Sequence, residues 1–451
     1  MKNKYDLLED NILKLFFKFL GTSTTGMIMV SLYILFDTIF VGQGVGKEGL
    51  AALNIALPVY NLLFGTGTLL GTGGATAMAV SLGSKDKDSA QRAFNHSLVL
   101  GIIMGIIYTV IGLLFMDKIC YFLGAGPETL PLIKEYLGVV IPFSWSFLMV
   151  YNLSIIVRND HGPKRAMIAM AAGGITNAVM DYVFVFPLGM GMRGAAIATV
   201  MSSLVSLAIL LMHFIGGHSN LRITSLRLRF DFTKRIVSIG IASFIIEISS
   251  GLVIFLFNKQ LLSMIGEIGV SAYSIIANVS LMCVAIFTGI AQGIQPIASI
   301  NFGAKKYSRV YTIRKLGIIS AAIFGMLFFI LGLTIPETIV SAFTSEKGQI
   351  IDITKEGIKY YFLAFPIMGI NIVMGSYFQS IEKTPYSTAI SLCRGIIFTA
   401  LGLKLLTLFL GVSGIWITVP IAEILTLIII TVILYKEKLQ RSNNLKEEAV
   451  A

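Results

Sequence analysis

Four acidic side chains lie inside long apolar stretches of this 451-residue chain: Asp37, Asp181, Glu247 and Glu423. An acid at the centre of a bilayer costs at least about 2.5 to 3.5 kcal/mol on insertion scales, so each is a candidate for function before it is one for packing. Asn177 stands one helical turn before Asp181, at i and i+4, and the two share a helix face. A rise of about 1.5 Å per residue puts Asp37 about five residues from the C-terminal end of the first apolar span, Asp181 about six from that of the fifth, and Thr199 about five into the sixth. Those three span ends fall on one side of a membrane. Four oxygen-bearing side chains from three helices therefore reach similar depth. Two carboxylates with amide and hydroxyl oxygens suit a hard cation such as Na⁺. They suit H⁺ equally, because two neighbouring buried carboxylates resist being charged together. The residue types do not choose between the ions. Equal depth leaves helix rotation open, so separate polar packing residues are the alternative.

The second half of the chain reads differently. Glu247 on the seventh span, Arg394 on the eleventh and Glu423 on the twelfth all fall near mid-depth. A buried arginine needs a carboxylate partner, and Glu423 is the candidate, which makes Arg394 and Glu423 a structural intramembrane pair and Glu247 the freer acid. Gln292 and Gln295 on the eighth span either line the same cavity or bond a neighbouring helix. The 30 Phe, 16 Tyr and 19 Met can form an adaptable wall for apolar ligands, but most such residues in a membrane protein pack or face lipid. No individual aromatic is singled out.

The elements that carry these residues follow from composition. The chain is 55% hydrophobic and only 13% charged, where soluble domains carry roughly 25% charge. Its charges cluster, leaving stretches of about 20 or more apolar residues, each long enough to cross a hydrocarbon core of about 30 Å. Twelve spans are predicted: 19–41, 50–82, 93–115, 136–157, 163–187, 194–216, 236–258, 270–301, 312–334, 357–381, 385–410 and 413–435. Charged Met1 to Lys18 runs straight into a span too long for a signal-peptide core, so the first helix is expected to stay. With both termini on one side, that side carries 25 Lys and Arg against 9 on the other, and Arg394 lies within a span. Basic loops stay cytoplasmic, so both termini are expected there, in a multi-pass protein of the cell membrane.

The same loops, Arg222 to Arg235 and Lys305 to Lys315, explain the net charge of +11 by contact with anionic lipid headgroups, with no call for nucleic acid. Cys120, Cys283 and Cys393 show no metal-type spacing. His96, His161, His213 and His218 are scattered, and no metal site beyond Na⁺ is expected.

Shifted by 220 residues, the sequence aligns with itself: Ala52 with Ala272, Gly73 with Gly293, Gly83 with Gly303, Lys85 with Lys305 and Gly194 with Gly414; Pro163 meets Pro385 at 222. The expected fold is an all-α membrane protein of twelve helices in two pseudo-symmetric six-helix lobes around a central cavity. The divisions are an N-lobe 1–216, a cytoplasmic linker 217–235, a C-lobe 236–435 and a cytoplasmic tail 436–451. Six is even, so the halves enter the membrane alike and are related by an axis along its normal. Gly65, Gly67, Gly71, Gly73 and Gly74 on the second span permit close helix approach or plain packing.

With these residues in view, the chain resembles the multidrug and toxic compound extrusion (MATE) transporters. The likeness rests on Leu35-Phe36-Asp37-Thr38-Ile39-Phe40-Val41-Gly42, Arg158-Asn159-Asp160 with Pro163-Lys164, and Asn177-Ala178-Val179-Met180-Asp181. It continues in Arg193-Gly194-Ala195-Ala196-Ile197-Ala198-Thr199, Gln292-Gly293 to Asn301-Phe302-Gly303-Ala304, and Pro420-Ile421-Ala422-Glu423. It covers nearly the whole chain. The resemblance implies a cation-coupled antiporter that takes Na⁺ or H⁺ inward and exports organic, often cationic amphipathic, compounds. It implies an N-lobe cation site at the positions matching Asp37, Asn177, Asp181 and Thr199, and a coupling role in some members for the acid matching Glu247. Two departures matter. No proline stands between Leu20 and Asp37, where some members use one in a proposed bending step, and the tenth span lacks the acid that certain members add to a C-lobe cation site. Coupling through the N-lobe is therefore favoured.

The expectation is a monomeric secondary transporter with no cofactor other than its coupling ion, and not an enzyme, since no cluster of catalytic His or Ser residues lies at depth. The rival reading is a lipid-linked oligosaccharide or lipid flippase of related architecture. It calls for a basic cavity, and Arg394 is the one clear mid-helix cation.

Overall fold

The computed structural model describes residues 5–217, 219, 221–222, 228–341 and 348–450, with side chains through 438. His218, part of the expected linker and most side chains of the expected tail lie outside the described residues. Among those described there is no strand, and twelve helices are long and apolar enough to cross a membrane. They are α1 (Ile12–Gly44), α2 (Lys47–Gly83), α3 (Lys87–Leu114), α4 (Thr129–Asn159), α5 (Pro163–Val185), α6 (Gly191–Ile215), α7 (Phe230–Ile265), α8 (Glu267–Gly303), α9 (Tyr307–Thr334), α10 (Gln349–Ser380), α11 (Thr384–Leu410) and α12 (Val412–Lys438). The twelve match the predicted spans but extend past several of them: α1 begins at 12, not 19, and α7 ends at 265, not 258. Hydropathy marks only the turns inside the hydrocarbon, whereas helices continue through the polar interface until a cap or glycine ends them. Asn11 caps α1 by accepting from Leu13 and Lys14 N–H, and Asp86 caps α3 by accepting from Ser89 N–H. Cys120 is not on a span; it sits buried on a short helix, Met116–Phe122.

The repeat recurs in backbone conformation. Among the described residues, the four non-glycine residues with positive φ form two pairs, Lys85 (65°) with Lys305 (57°) and His161 (60°) with Glu382 (57°). Left-handed φ is rare for residues with a Cβ, so its recurrence at corresponding turns reflects one turn design used twice. Helices α4 and α10 are both interrupted by a 3₁₀ turn, at Ile141–Phe143 and Phe362–Ala364, beside Pro142 and Pro366. The architecture is thus two helical lobes.

How the lobes meet decides what the protein presents. The face on which α1 begins and α2 ends is called here the terminus face, and the opposite one the far face. The close inter-lobe approaches run from mid-membrane to the terminus face. A Cβ on Gly303 would fall 2.0 Å from Val80 O, one on Gly240 2.0 Å from Leu69 O, and one on Gly73 2.1 Å from Ile236 O. Backbones this close leave no room for a side chain. Polar bonds reinforce the seam: Gln295 Nε2 donates to Thr76 Oγ1 at 3.1 Å, and Ser243 and Gln379 bond each other beside Thr72. Toward the far face the N-lobe packs on itself, in a core of Val41, Ala52, Tyr60, Tyr136, Val185 and Ala196 that includes no C-lobe residue. Among the described residues no backbone-to-backbone approach of this kind joins the lobes in the far half, where Asn61 Nδ2 still lies 2.7 Å from a Cβ placed on Gly251, and this leaves room for a groove between them on that side.

Candidate functional site

Helices α1, α5 and α6 bring Asp37, Asn177, Asp181 and Thr199 together in the far half of the N-lobe. Small residues allow it: Gly174 of α5 lies against Met29 O and the Tyr33 side chain of α1, and Gly173 against Ser206 of α6. Asp181, Asn177 and Thr199 are buried at 0%, 1% and 7% exposure, while Asp37 keeps partial exposure. Asn177 Nδ2 lies 3.4 Å from Thr199 Oγ1, whose hydroxyl donates to Ala195 O at 2.9 Å. The Asp37 and Asp181 carboxyls lie within direct reach of each other. Both are acceptors, so no hydrogen bond joins them unless a proton is shared.

The site is rich in oxygen and poor in donors. Asp37 Oδ1, Asn177 Oδ1 and both Asp181 oxygens are buried and accept no hydrogen bond. Buried polar atoms in folded proteins are almost always paired, and a buried acceptor left bare costs about 1–3 kcal/mol. Four in one place fit a hard cation, which takes oxygen ligands only, or a proton between the acids.

Sequence reasoning missed two tyrosines. Tyr60 of α2 and Tyr136 of α4 place their hydroxyls 3.0 Å apart in the core beneath the acids, and Tyr136 reaches Thr199. A hydroxyl within or at the start of an apolar span was the available signal, but 16 tyrosines across the chain diluted it.

The other nominated residues do not join this site. Glu247 of α7 packs against α2, its Cβ 3.3 Å from where a Cβ on Gly65 would lie, and it makes no ion pair among the described residues. It lies on the C-lobe side of the seam near Tyr151, whose ring lies 4.5 Å from that of Phe64. Gln295 is spent on Thr76 across the seam, and Gln292 leaves its buried Oε1 unpaired. Arg394 Nε donates to Glu423 Oε1 at 2.6 Å, and Asn371 Nδ2 donates to Glu423 Oε2 at 2.7 Å and to Glu423 O at 2.8 Å. On the terminus face, His213 Nε2 and Asp160 Oδ2 pair at 2.9 Å. Among the described residues no three His, Cys, Asp or Glu side chains group as metal ligands.

Comparison with known proteins gives the family of the fold. A multidrug export protein, MepA, of Staphylococcus aureus (strain MRSA252) is 25% identical over 418 residues, spanning 91% of this chain and 90% of its own. Two solved structures share the fold at 24% identity. One is the outward-facing conformation of a multidrug resistance MATE family transporter of the MOP superfamily, with a TM-score of 0.89 over 95% of this chain and 96% of that one. The other is a MOP superfamily transporter from Pyrococcus furiosus described as having a binding pocket of reversed polarity, with a TM-score of 0.87 over 94% and 95%. Residues 23–183 and 235–403, one stretch in each lobe, match the MatE family. With that match over most of its length and twelve spanning helices in two lobes, the chain belongs to the MatE family of multi-pass membrane transporters.

Proposed function

We propose that the protein is a cation-coupled multidrug exporter, in which Na⁺ or H⁺ binds between Asp37 and Asp181 and drives organic, often cationic amphipathic, compounds out of the cell. The observation that carries this reading is the set of four buried oxygens on Asp37, Asn177 and Asp181 that no donor satisfies. The export assignment rests on the likeness to the Staphylococcus aureus multidrug export protein. The excess of Lys and Arg on the terminus face makes that face cytoplasmic, so the groove faces outside. An incoming cation reaches Asp37 first, at the open edge of the pair, and settles against Asp181, Asn177 and Thr199. Filling the site favours the conformation that satisfies those oxygens best, and that difference in affinity between two lobe arrangements moves the equilibrium. The drug leaves outward as the cation enters. Glu247, on the opposite wall, contributes charge to the substrate or to coupling. The protein works as a monomer in lipid, with the coupling ion as its only cofactor.

A lipid or oligosaccharide flippase reading is not favoured. Arg394, its best basic residue, is held by Glu423 at 2.6 Å. The test is dye efflux from proteoliposomes under separately imposed Na⁺ and proton gradients. Export under one gradient and not under neither is the expected result, and export indifferent to both defeats the reading.

A further inference from the structure

Helix α1 changes lobes along its length. Near the terminus face it lies on the C-lobe: a Cβ on Gly289 of α8 would meet Thr24 Cα at 2.5 Å, one on Gly293 would meet Leu20 N at 3.1 Å, and Leu15, Phe16 and Phe19 are buried in the C-lobe core. From Gly26 onward it lies on the N-lobe, with Met167 Cα of α5 3.8 Å from a Cβ placed there and Val185 against Gly44. The lobes cannot part on the terminus face unless the foot of α1 leaves α8 or the helix bends between Thr24 and Gly26.

The segment before α1 holds that foot down. Leu7 is 1% exposed and belongs to the C-lobe core. Its carbonyl accepts from Asn301 Nδ2 at 3.0 Å and from Arg309 Nη2 at 3.1 Å; Arg309 Nη2 also donates to Asp10 O at 2.8 Å, and its Nε to Asn301 Oδ1 at 3.0 Å. Lys306 donates to Leu8 O at 3.2 Å and pairs with Glu9. On the other side, Tyr5 Oη donates to His161 O at 2.5 Å, in the turn between α4 and α5, with its ring on that imidazole, on Phe19 and under the Lys18 ammonium at 3.6 Å. His161 can present its carbonyl there because its φ is 60°.

We infer that residues Tyr5 to Asp10 form a latch across the terminus face, tying the α8–α9 turn of one lobe to the α4–α5 turn of the other and holding the far-open arrangement. This deepens the proposed function and rests on its two-state cycle. The bonds are unequal: several charge-assisted bonds hold the C-lobe side, whereas one hydroxyl and a ring contact hold the N-lobe side. The Tyr5–His161 contact is the weaker one and opens first.

The test uses the full-length protein in liposomes with spin labels at Glu48→Cys and Glu267→Cys, exposed residues on the far face of the two lobes. The distance distribution reads the populations directly, without transport. Tyr5→Phe, which keeps the ring, is expected to lower the ratio of far-open to far-closed protein about 2- to 10-fold, the worth of one hydrogen bond. Arg309→Met is expected to lower it further. A ratio unchanged from wild type in both variants overturns the latch while leaving the transport reading standing. A single distance population in wild type under every ion and substrate condition overturns both.

Discussion

Arg394 and Glu423 meet at 2.6 Å in the C-lobe interior, and Arg394 does so from a π-helical turn, Cys393–Ile397, that interrupts α11. The extra residue in such a turn re-aims the side chains that follow it, and here it carries a guanidinium toward α12. Glu423 is nearly fully buried and Arg394 mostly so, with side-chain exposures of 3% and 17%. Removing one partner strands the other, which costs about 3–5 kcal/mol, whereas replacing both with apolar residues of similar size is near neutral. Glu423→Leu is therefore expected to lower thermal stability in detergent sharply, and Arg394→Met with Glu423→Leu to recover most of it. A double variant no better than the single one contradicts a mainly structural pair.

The N-lobe acids predict the opposite. Asp181 accepts no hydrogen bond at either oxygen, so neutralising it leaves no donor stranded. Asp181→Asn and Asp37→Asn are expected to fold normally, with thermal midpoints equal to or above wild type, and to lose gradient-driven efflux by at least about 10-fold, the effect of about 1.4 kcal/mol at the coupling step. Efflux from energised vesicles at the wild-type rate in both variants removes the coupling assignment.

Tyr136→Phe separates support from ligation. It takes away the partner of the Tyr60 hydroxyl, a loss of about 1–3 kcal/mol when a buried group is left unpaired, and it frees Thr199 to shift. Thermal midpoint should fall and the cation concentration for half-maximal efflux should rise several-fold. The maximal rate should stay near wild type, because no carboxylate is changed.

Gly303→Ala probes the seam. The new Cβ would lie 2.0 Å from Val80 O, and backbone on both sides cannot step aside. The clash is relieved only by moving the lobes apart on the terminus face. Cysteine accessibility along α2 and α8 is expected to rise there and fall at the far face. An unchanged pattern would mean that the seam is not the gate.

Burial holds the His161 imidazole below its ordinary range, against the pull of Asp160 and Asp6, with His213 acting in the same sense as burial. A base whose value is depressed in the closed state binds its proton more readily once released. Above about pH 6.5 both states are neutral and the latch is unaffected; below that, protonation favours the open latch. Far-open protein should therefore decline as pH falls through the imidazole range. His161→Asn keeps the carbonyl in a conformation that asparagine tolerates and should remove that part of the response, leaving any contribution from His213, Asp160, Asp6 or Tyr5.

The sequence by itself determined the twelve spans and which ionisable side chains lie within them. Apolar length and charge placement are read along the chain, and the bilayer fixes what they mean. The Arg394 and Glu423 contact was legible for the same reason, since a buried arginine has few places to go. Only the tertiary structure decided rotation and contact. It turned Asp37 and Asp181 toward each other, placed Tyr60 and Tyr136 beside them, spent Gln295 on Thr76, packed Glu247 against Gly65 of α2 and laid residues 5–10 across the seam. Those outcomes depend on how helices distant in sequence pack, and on which glycines let backbones touch. Periodicity within one helix carries no information about the partner that its polar face will meet.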